Sequence, residues 1–554
     1  MKKIILAGIN ARYTHSCLAL YCLKSALSGI DAEAVVREFS INQPVEDIAS
    51  RLAAEGADVM ALSVYIWNSE PVRKLLHLLH ERCAGSLLVL GGPEVSYNPG
   101  SWLEAFPFID FIVTGHGEEG FRTLAEKGFR GGEKVIAIPN PPFAEMPAPY
   151  SEEDLVGLKH KYIYYESSRG CPYRCTYCLS SRSDQNIDLK GPDTVKRELD
   201  FILRGGPSLV KFVDRTFNAS RGHGRAIWRH LLKNYRNGPT TFHFEIHPLC
   251  LDEEDFEILS LCPKGLFQFE IGIQSTNRET LAAVKRSGDW EKERAVLERL
   301  IALGTIRIHL DLIAGLPHED MVSFRRSFND LYGLRPDHLQ VGFLKILPGT
   351  EMMDAAGRFG MSYSRRAPYQ VSETQWLNGK ELGLLERISR LVDRLHNTRR
   401  FGTTLAALAG RHGSSFDLYR ELALYADDSN AQTTRSWESC ALFLMAYTAS
   451  RFPGEKSFFL DAMRWDWCAV TRTPYYPDII RPESSAETKK KGTAFFMNHE
   501  EGGGILYRGF RFGISDLKRS LFFEAESDAF RMDHMAGNTR AIFLPDKKVI
   551  MYTG

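Results

Sequence analysis

The sequence carries no excess of charge of either sign: 69 Lys and Arg balance 69 Asp and Glu, so the formal net charge is zero. Such a chain has no global field to hold a polyanion, and a nucleic-acid partner is not expected. Long apolar runs are also missing. No stretch approaches the roughly 20 apolar residues of a membrane span. Ile4–Ala7, behind Lys2 and Lys3, falls short of a signal-peptide core of about 7–15 residues, and polar Asn10 and Arg12 follow closely. The expectation is a cytoplasmic protein with no membrane contact. In that reducing compartment its ten cysteines are thiols or metal ligands rather than disulfides. Internal repeats and low-complexity tracts are absent. With 44% hydrophobic and 25% charged residues the chain can bury real cores, which excludes disorder, collagen-like repetition and a disulfide-stapled miniature. At roughly 150 residues per domain, 554 residues make three or four domains.

Short apolar runs recur at Lys3–Ala7, Ala34–Phe39, Val59–Tyr65, Leu87–Leu90 and Phe111–Val113, with helix-like stretches such as Leu18–Leu27 and Val72–Arg82 between them. This alternation predicts a parallel sheet wrapped by helices. Glycine-rich turns, Gly91-Gly92-Pro93-Glu94 and Thr114-Gly115-His116-Gly117-Glu118, end two of the runs. A ligand in such a sheet lies outside the carboxyl ends of the strands, where glycine lets backbone approach it. Pro139, Pro141, Pro142, Pro147 and Pro149 then mark an extended linker.

A second alternation follows. Strands are expected at Tyr162–Glu166, Leu209–Val213, Thr241–Ile246, Phe267–Ile273, Arg307–Ile313 and Leu339–Ile346, separated by helical segments. Six strand–helix units predict a parallel (β/α)6 partial barrel of the TIM type, with its chemistry at the carboxyl ends of the strands. Beyond about Pro368 the pattern turns helical, with Leu377–His396 and Ser436–Ser450 amphipathic. The polar stretch Pro482 to Gly492, with Lys489-Lys490-Lys491, and Glu501-Gly502-Gly503-Gly504 read as exposed loops. The expected organisation is α/β: a Rossmann-like domain over 1–138, a linker over 139–155, the barrel over 156–367 and a mainly helical carboxyl-terminal domain over 368–554.

Cys171-Pro172-Tyr173-Arg174-Cys175-Thr176-Tyr177-Cys178 places three thiols in C-x-x-x-C-x-x-C spacing directly after the first barrel strand. Three clustered thiolates suit a soft metal or an iron–sulfur cluster, and with three ligands a four-iron cluster keeps one iron open. A structural zinc site would need a fourth ligand nearby, and the window from Arg169 to Arg182 holds no further cysteine and no histidine. The remaining cysteines have no ligand spacing and are expected as buried small hydrophobes.

This motif, with aromatic Tyr177 before the last cysteine, resembles the signature of the radical S-adenosylmethionine (SAM) superfamily. The resemblance implies that Cys171, Cys175 and Cys178 ligate a 4Fe–4S cluster and that Tyr177 lines the SAM site. It further implies SAM contacts from Asp214 at the second strand's end, Glu245 at the third, Glu270 and Gln274 on the fourth and Gly315 after the fifth. With the Rossmann-like module in front, the chain is similar to the cobalamin-binding subclass, which assigns Ser63, Gly91, Gly92, Gly115 and Gly117 to cobalamin. The D-x-H-x-x-G motif that supplies an axial histidine to many cobalamin enzymes is absent, and His15 and His116 are expected as hydrogen-bonding loop residues. The carboxyl-terminal region resembles an uncharacterised extension found in this subclass.

The expected function is therefore reductive cleavage of SAM coupled to cobalamin-dependent methyl transfer onto an unactivated carbon of a small molecule or peptide. An electron donor such as flavodoxin or ferredoxin is implied. The alternatives are a cobalamin-dependent rearrangement or cyclisation, methylthiolation, and a non-catalytic cobalamin or redox sensor. Methylthiolation needs a second cluster in the amino-terminal domain, and Cys17, Cys22 and Cys83 lack the usual spacing for one.

Overall fold

Near-continuous apolar runs are what a parallel sheet covered on both faces requires, and the first third of the chain supplies them. Strands β1 (Lys2–Asn10), β2 (Ala32–Ser40), β3 (Val59–Ser63), β4 (Leu87–Gly91), β5 (Phe111–Val113) and β6 (Val135–Ile136) form one sheet in the order β2-β1-β3-β4-β5-β6, every pair parallel. Helices α1 (Leu18–Ala26), α2 (Val45–Ala54), α3 (Ser69–Arg82), α4 (Pro93–Ser96), α5 (Pro99–Ala105) and α6 (Glu118–Glu126) surround it. Leu20, Phe121 and Leu124 of α1 and α6 pack on one face; Leu52, Leu75, Leu79 and Trp102 of α2, α3 and α5 pack on the other. The strand order reverses between β1 and β3, which opens a crevice above their carboxyl ends.

The structure is a computed structural model that describes residues 2–180, 186–428, 435–499, 505–507, 510–531, 539–544 and 548–552. It divides into two compact units, Met1–Ser327 with Val341–Leu382, and Phe328–Gln340 with Gly383–Gly554. Among the described residues no helix is long and apolar enough to cross a membrane.

The proline-rich segment runs extended except for a short 3-10 turn at Phe143–Glu145, and the helix Glu152–Gly157 follows it, capped by Ser151. The second sheet contains β7 (Ile163–Tyr165). After the small antiparallel pair β8 (Ser168–Arg169) and β9 (Asp188–Leu189), it continues through β10 (Leu209–Phe212), β11 (Thr241–Glu245), β12 (Phe267–Gln274), β13 (Arg307–Ala314) and β14 (His338–Phe343). Its order is β14-β13-β12-β11-β10-β7. Strict alternation sets its two faces. In β12, Phe267, Phe269, Ile271 and Ile273 are buried, while Gln268, Glu270, Gly272 and Gln274 stay partly open on the inner side. Phe244, Phe269 and Trp228 pack together under the helices.

The second unit is mainly helical, including Gly402–Ala409, Ser415–Asp428, Trp437–Arg451 and Lys456–Val470, but it also holds a three-stranded antiparallel sheet, Leu521–Glu524, Arg540–Phe543 and Val549–Tyr552. The stretch Pro482 to Gly492, expected as a loop, is largely helical: Ser485–Asn498 forms a helix that buries Thr488, Gly492 and Phe496 at four-residue spacing. Lys491 is held by Glu487 at 3.1 Å and Glu524 at 3.3 Å. Glu501–Gly504, the other expected loop, lies outside the described residues.

Candidate active site

Soon after β7 the chain turns through Gly170, whose φ of +86° lies in the region that favours glycine, and enters the cysteine segment. Asp214 braces the approach. It is fully buried, and it accepts hydrogen bonds from Ser167 N at 3.0 Å and from the Ser167 and Ser168 hydroxyls at 2.6 Å each. Burial pushes its carboxyl up to about 6, and these donors pull it back. The expectation for Asp214 was direct contact with SAM; here its side chain faces inward and holds the residues leading into the cysteines.

Cys175 is buried, Cys171 and Cys178 partly so. Their loop is tied on both sides: Thr176 N donates to Val284 O at 3.0 Å, and Met352 N donates to Thr176 O at 2.9 Å. Arg286 Nη1 lies 3.8 Å from Cys175 Sγ, and its other terminal nitrogen donates to Gly272 O. Cys171 Sγ lies 3.7 Å from Thr216 Oγ1. Tyr173 stacks on His247 with ring centroids 4.6 Å apart. Burial raises the Tyr177 phenol, while the nearby Arg286 charge opposes the rise.

Among the described residues, no three His, Cys, Asp or Glu side chains converge on a point that one metal ion could occupy. A structural zinc draws four ligands to about 2.0–2.3 Å of one centre. Thiolates of an iron–sulfur cube sit on separate irons and need no such convergence. The donor set, three thiols on one anchored loop beside the partly buried Arg286 cation, fits a cluster.

The inner face of the barrel is polar, and strand register layers it. Lys211, His243 and Gln268 share one rung; Glu245, Glu270 and His309 share the next; Gly272 and Asp311 lie on the third. Gln268 Nε2 donates to His243 Nδ1 at 2.8 Å, which leaves the ring proton on Nε2, 2.9 Å from Glu270 Oε2. Lys211 Nζ is 3.3 Å from the same oxygen. Burial alone would raise Glu270, but the His243 hydrogen bond and the Lys211 charge outweigh it and hold the carboxyl at about 2. Burial and the Glu270 charge push Glu245 up to about 7, and burial with the same neighbours raises Asp311.

Glu270 sits mid-strand, deeper in the barrel than Gln274. Gln274 does end its strand, with φ +72°, and its buried Oε1 has no hydrogen-bond partner. Such an orphaned acceptor fits a ligand that carries a donor. Gly315, at φ +89°, is packed so closely that a Cβ there would lie 2.6 Å from Val371 Cγ1. Lys211, His243 and Arg286 were missed from sequence. For the first two, the signal was a polar residue alternating with buried Val210, Phe212, Phe242 and Phe244.

At the amino-terminal sheet, Gly92 (φ +104°) wraps the end of β3: a Cβ would lie 2.6 Å from Val64 O. Gly115 (φ +75°) has open space around it, and Gly117 (φ +93°) precedes α6. Ser63 is buried, its Oγ 3.7 Å from Cys17 Sγ. Tyr65 and Trp67, also missed, stack at 4.4 Å by the crevice between β1 and β3; Trp67 is 43% exposed and donates through Nε1 to Ile9 O at 3.1 Å. The loop before α1 reaches the barrel. Tyr162 N donates to Thr14 O at 2.7 Å, and the Tyr164 hydroxyl meets His15 Nδ1 at 2.8 Å.

Three family models match this chain: the B12 binding domain over residues 4–125, the radical SAM superfamily over 165–331, and a protein of unknown function (DUF4080) over 357–538. Among curated proteins it is similar to the cobalamin-dependent radical SAM methyltransferase TokK of Streptomyces tokunonensis, with 26% identity over 56% of this chain and 50% of that protein. The chain spans about half the length of the curated relatives it matches first. Among solved structures it is similar to the cobalamin-dependent SAM radical enzyme OxsB (TM-score 0.57, 17% identity, 84% of this chain and 79% of that one). It is also similar to the radical SAM methyltransferase TsrM from Kitasatospora setae (TM-score 0.56, 17% identity, 66% and 77%). These two likenesses are of fold. The radical SAM domain implies a 4Fe–4S cluster and SAM, and the B12 binding domain implies cobalamin. The chain thus carries a radical SAM domain, with a B12 binding domain in front of it and a DUF4080 domain behind it.

Proposed function

We propose that this protein is a cobalamin-dependent radical SAM methyltransferase acting on a carbon of a small molecule or peptide, and that a reduced flavodoxin- or ferredoxin-type protein supplies its electrons. The observation that carries the reading is the joint at β7. The strand that feeds the cysteine loop is gripped by the switch-point loop of the B12 binding domain through Thr14 and His15. The two cofactor regions are thereby built against one strand. The cofactors supply the hard chemistry when bound: reductive cleavage of SAM at the cluster and methyl carriage at cobalt.

The chain's own residues bind, orient and charge-balance. Cys171, Cys175 and Cys178 are the cluster ligands in this reading, and Arg286 offsets thiolate charge at Cys175. Ionised Glu270 suits an ammonium or hydroxyl donor, Glu245 titrates near neutrality, and Gln274 and Gly315 shape the rim where SAM would lie; Tyr177 lines the same rim. Gly91, Gly92, Gly115 and Gly117 let backbone approach cobalamin above the crevice, with Ser63 at its base and the Tyr65–Trp67 stack beside it. Methylthiolation is not favoured, since Cys17, Cys22 and Cys83 lack the spacing of a second ligand group.

Anaerobic reconstitution tests this. The protein should show a 4Fe–4S spectrum, release 5′-deoxyadenosine on reduction and retain hydroxocobalamin through gel filtration. Cys175→Ala should lose the first two and keep the third. Full SAM cleavage by Cys175→Ala, or no cobalamin retained by the parent, would overturn the assignment.

A further inference from the structure

Glu118 is the first residue of α6, and its side chain is 4% exposed. One carboxylate oxygen accepts from Arg169 Nη2 at 2.5 Å; the other accepts from Asn140 Nδ2 at 2.6 Å. Asn140 Oδ1 in turn accepts from Glu119 N at 3.0 Å. Arg169, 10% exposed, also donates through Nε to Glu166 Oε2 at 3.0 Å, and its guanidinium carbon lies 4.4 Å from the Phe143 ring centroid. One guanidinium, carried two residues before Cys171, therefore touches the glycine-rich loop entering α6 at Glu118, the proline-rich linker at Phe143, and the segment following β7 at Glu166. A second buried pair, Lys190 and Glu198 at 2.9 Å, abuts the same ring from Lys190 Nζ at 5.0 Å.

We propose that Arg169, clamped between Glu118 and Glu166, is a positioning residue that fixes the spacing between the cysteine loop and the late glycine loop of the B12 binding domain. This rests on the reading that those loops hold the cluster and cobalamin. The physical reason is the planar fork. A guanidinium with partners on separate edges and a ring beneath its face has no free rotation left, so a shift of either loop must break a buried charge-assisted bond. Lys161 with Glu38 (2.8 Å) and Lys24 with Asp154 (2.7 Å) also tie the amino-terminal domain to later segments, but both lie farther from the cysteines in sequence. A misplacement of about 1 Å between reacting parts costs about a hundredfold in rate, which gives a transfer between two centres a use for such a clamp.

The test uses Glu118→Gln, which keeps the shape and removes the charge, and Arg169→Met. In the chain as purified, hydrogen exchange should quicken together in residues 114–119 and 166–171 for either variant. In reconstituted holoenzyme both should keep the parent's iron, cobalamin and SAM cleavage. The distance between the reduced cluster and cob(II)alamin, read from electron spin relaxation, should broaden or shift. Loosening confined to the substituted segment, or an unchanged distance in both variants, would overturn the clamp. A parent that takes up no cobalamin would defeat the proposed function instead, and the exchange experiment would still decide the clamp.

Discussion

Glu319 predicts an alkaline weakness in the wall of the site. The residue follows the Gly315-Leu316-Pro317 turn and is fully buried; its Oε1 accepts from Ser275 Oγ at 2.5 Å and Ser327 Oγ at 3.3 Å, and its Oε2 has no partner. No cation is among those contacts. Burial raises the carboxyl from 4.5 to about 8, with the two serines only partly opposing, so at neutral pH it carries a proton. In the opened chain the group would release that proton above pH 4.5. The native state thus binds more protons than the open state throughout the window, and stability falls as pH rises across it. The slope is at most about 1.4 kcal/mol per pH unit, and the whole window amounts to at most about 5 kcal/mol. Glu319→Gln has the same shape and never ionises. The amides of Thr276 and Asn277, which donate to Ser327 Oγ and Ser275 Oγ at 3.0 Å, report the hub by hydrogen exchange. Their protection in Glu319→Gln relative to the parent should grow with pH between about 5 and 8, by up to about tenfold per unit. A ratio constant across that range would refute the buried neutral acid.

The other predictions follow from single contacts. Gly315→Ala forces a side chain into a left-handed position against Val371; it should cost about 1–3 kcal/mol of stability and weaken SAM binding, as read by thermal melting and titration. Asp214→Asn replaces one of two oxygens that both accept hydrogen bonds; it should cost about 1–3 kcal/mol and lower the iron retained on reconstitution. Lys211→Met removes one of the two partners that hold Glu270 down. Since Glu270 lies below its ordinary value, its contribution is present above pH 4.5 and lost as pH falls through about 2. The variant should therefore lose less stability on acidification than the parent, measured by acid unfolding.

The alternation of elements was legible because each strand announces its own burial. Ile4–Ala7 and Val59–Leu62 are buried on both faces and read as solid apolar runs, and Phe267–Gln274 is buried on one face and reads as strict alternation. The helix Ser485–Asn498 was not legible, since three lysines and a glycine mimic a loop. Its reason is tertiary: Gly492 is crowded by the Phe522 ring of the carboxyl-terminal sheet, and any Cβ there would collide with it. That sheet escaped notice for a related reason. Strands of four residues with no long period leave no pattern of their own, and their pairing through Leu521–Phe543 and Phe543–Val549 supplies the order.

The site shows the same boundary between what a pattern carries and what register adds. Cysteine spacing is local, so the C-x-x-x-C-x-x-C loop could be read directly. The fate of the acids is not local. Glu245 closes its strand and Glu270 lies in the middle of the next, yet the stagger of β11 against β12 makes them neighbours on one rung. Once adjacent, two partly buried carboxylates cannot both be easily ionised. The one with His243 and Lys211 beside it keeps its charge at about 2, and that charge helps drive the other to about 7. Taken separately, Glu245 and Glu270 look like two equivalent strand-end acids; register splits them into a fixed anion and a group that can exchange a proton near neutrality. Lys211→Met, which removes the ion pair with Glu270, should also shift the titration of Glu245 upward, because it removes a cation that lowers Glu245 itself. Carboxyl-resolved infrared titration of the two glutamates would read that shift, and a Glu245 titration unmoved by Lys211→Met would show that the Lys211 charge does not reach Glu245.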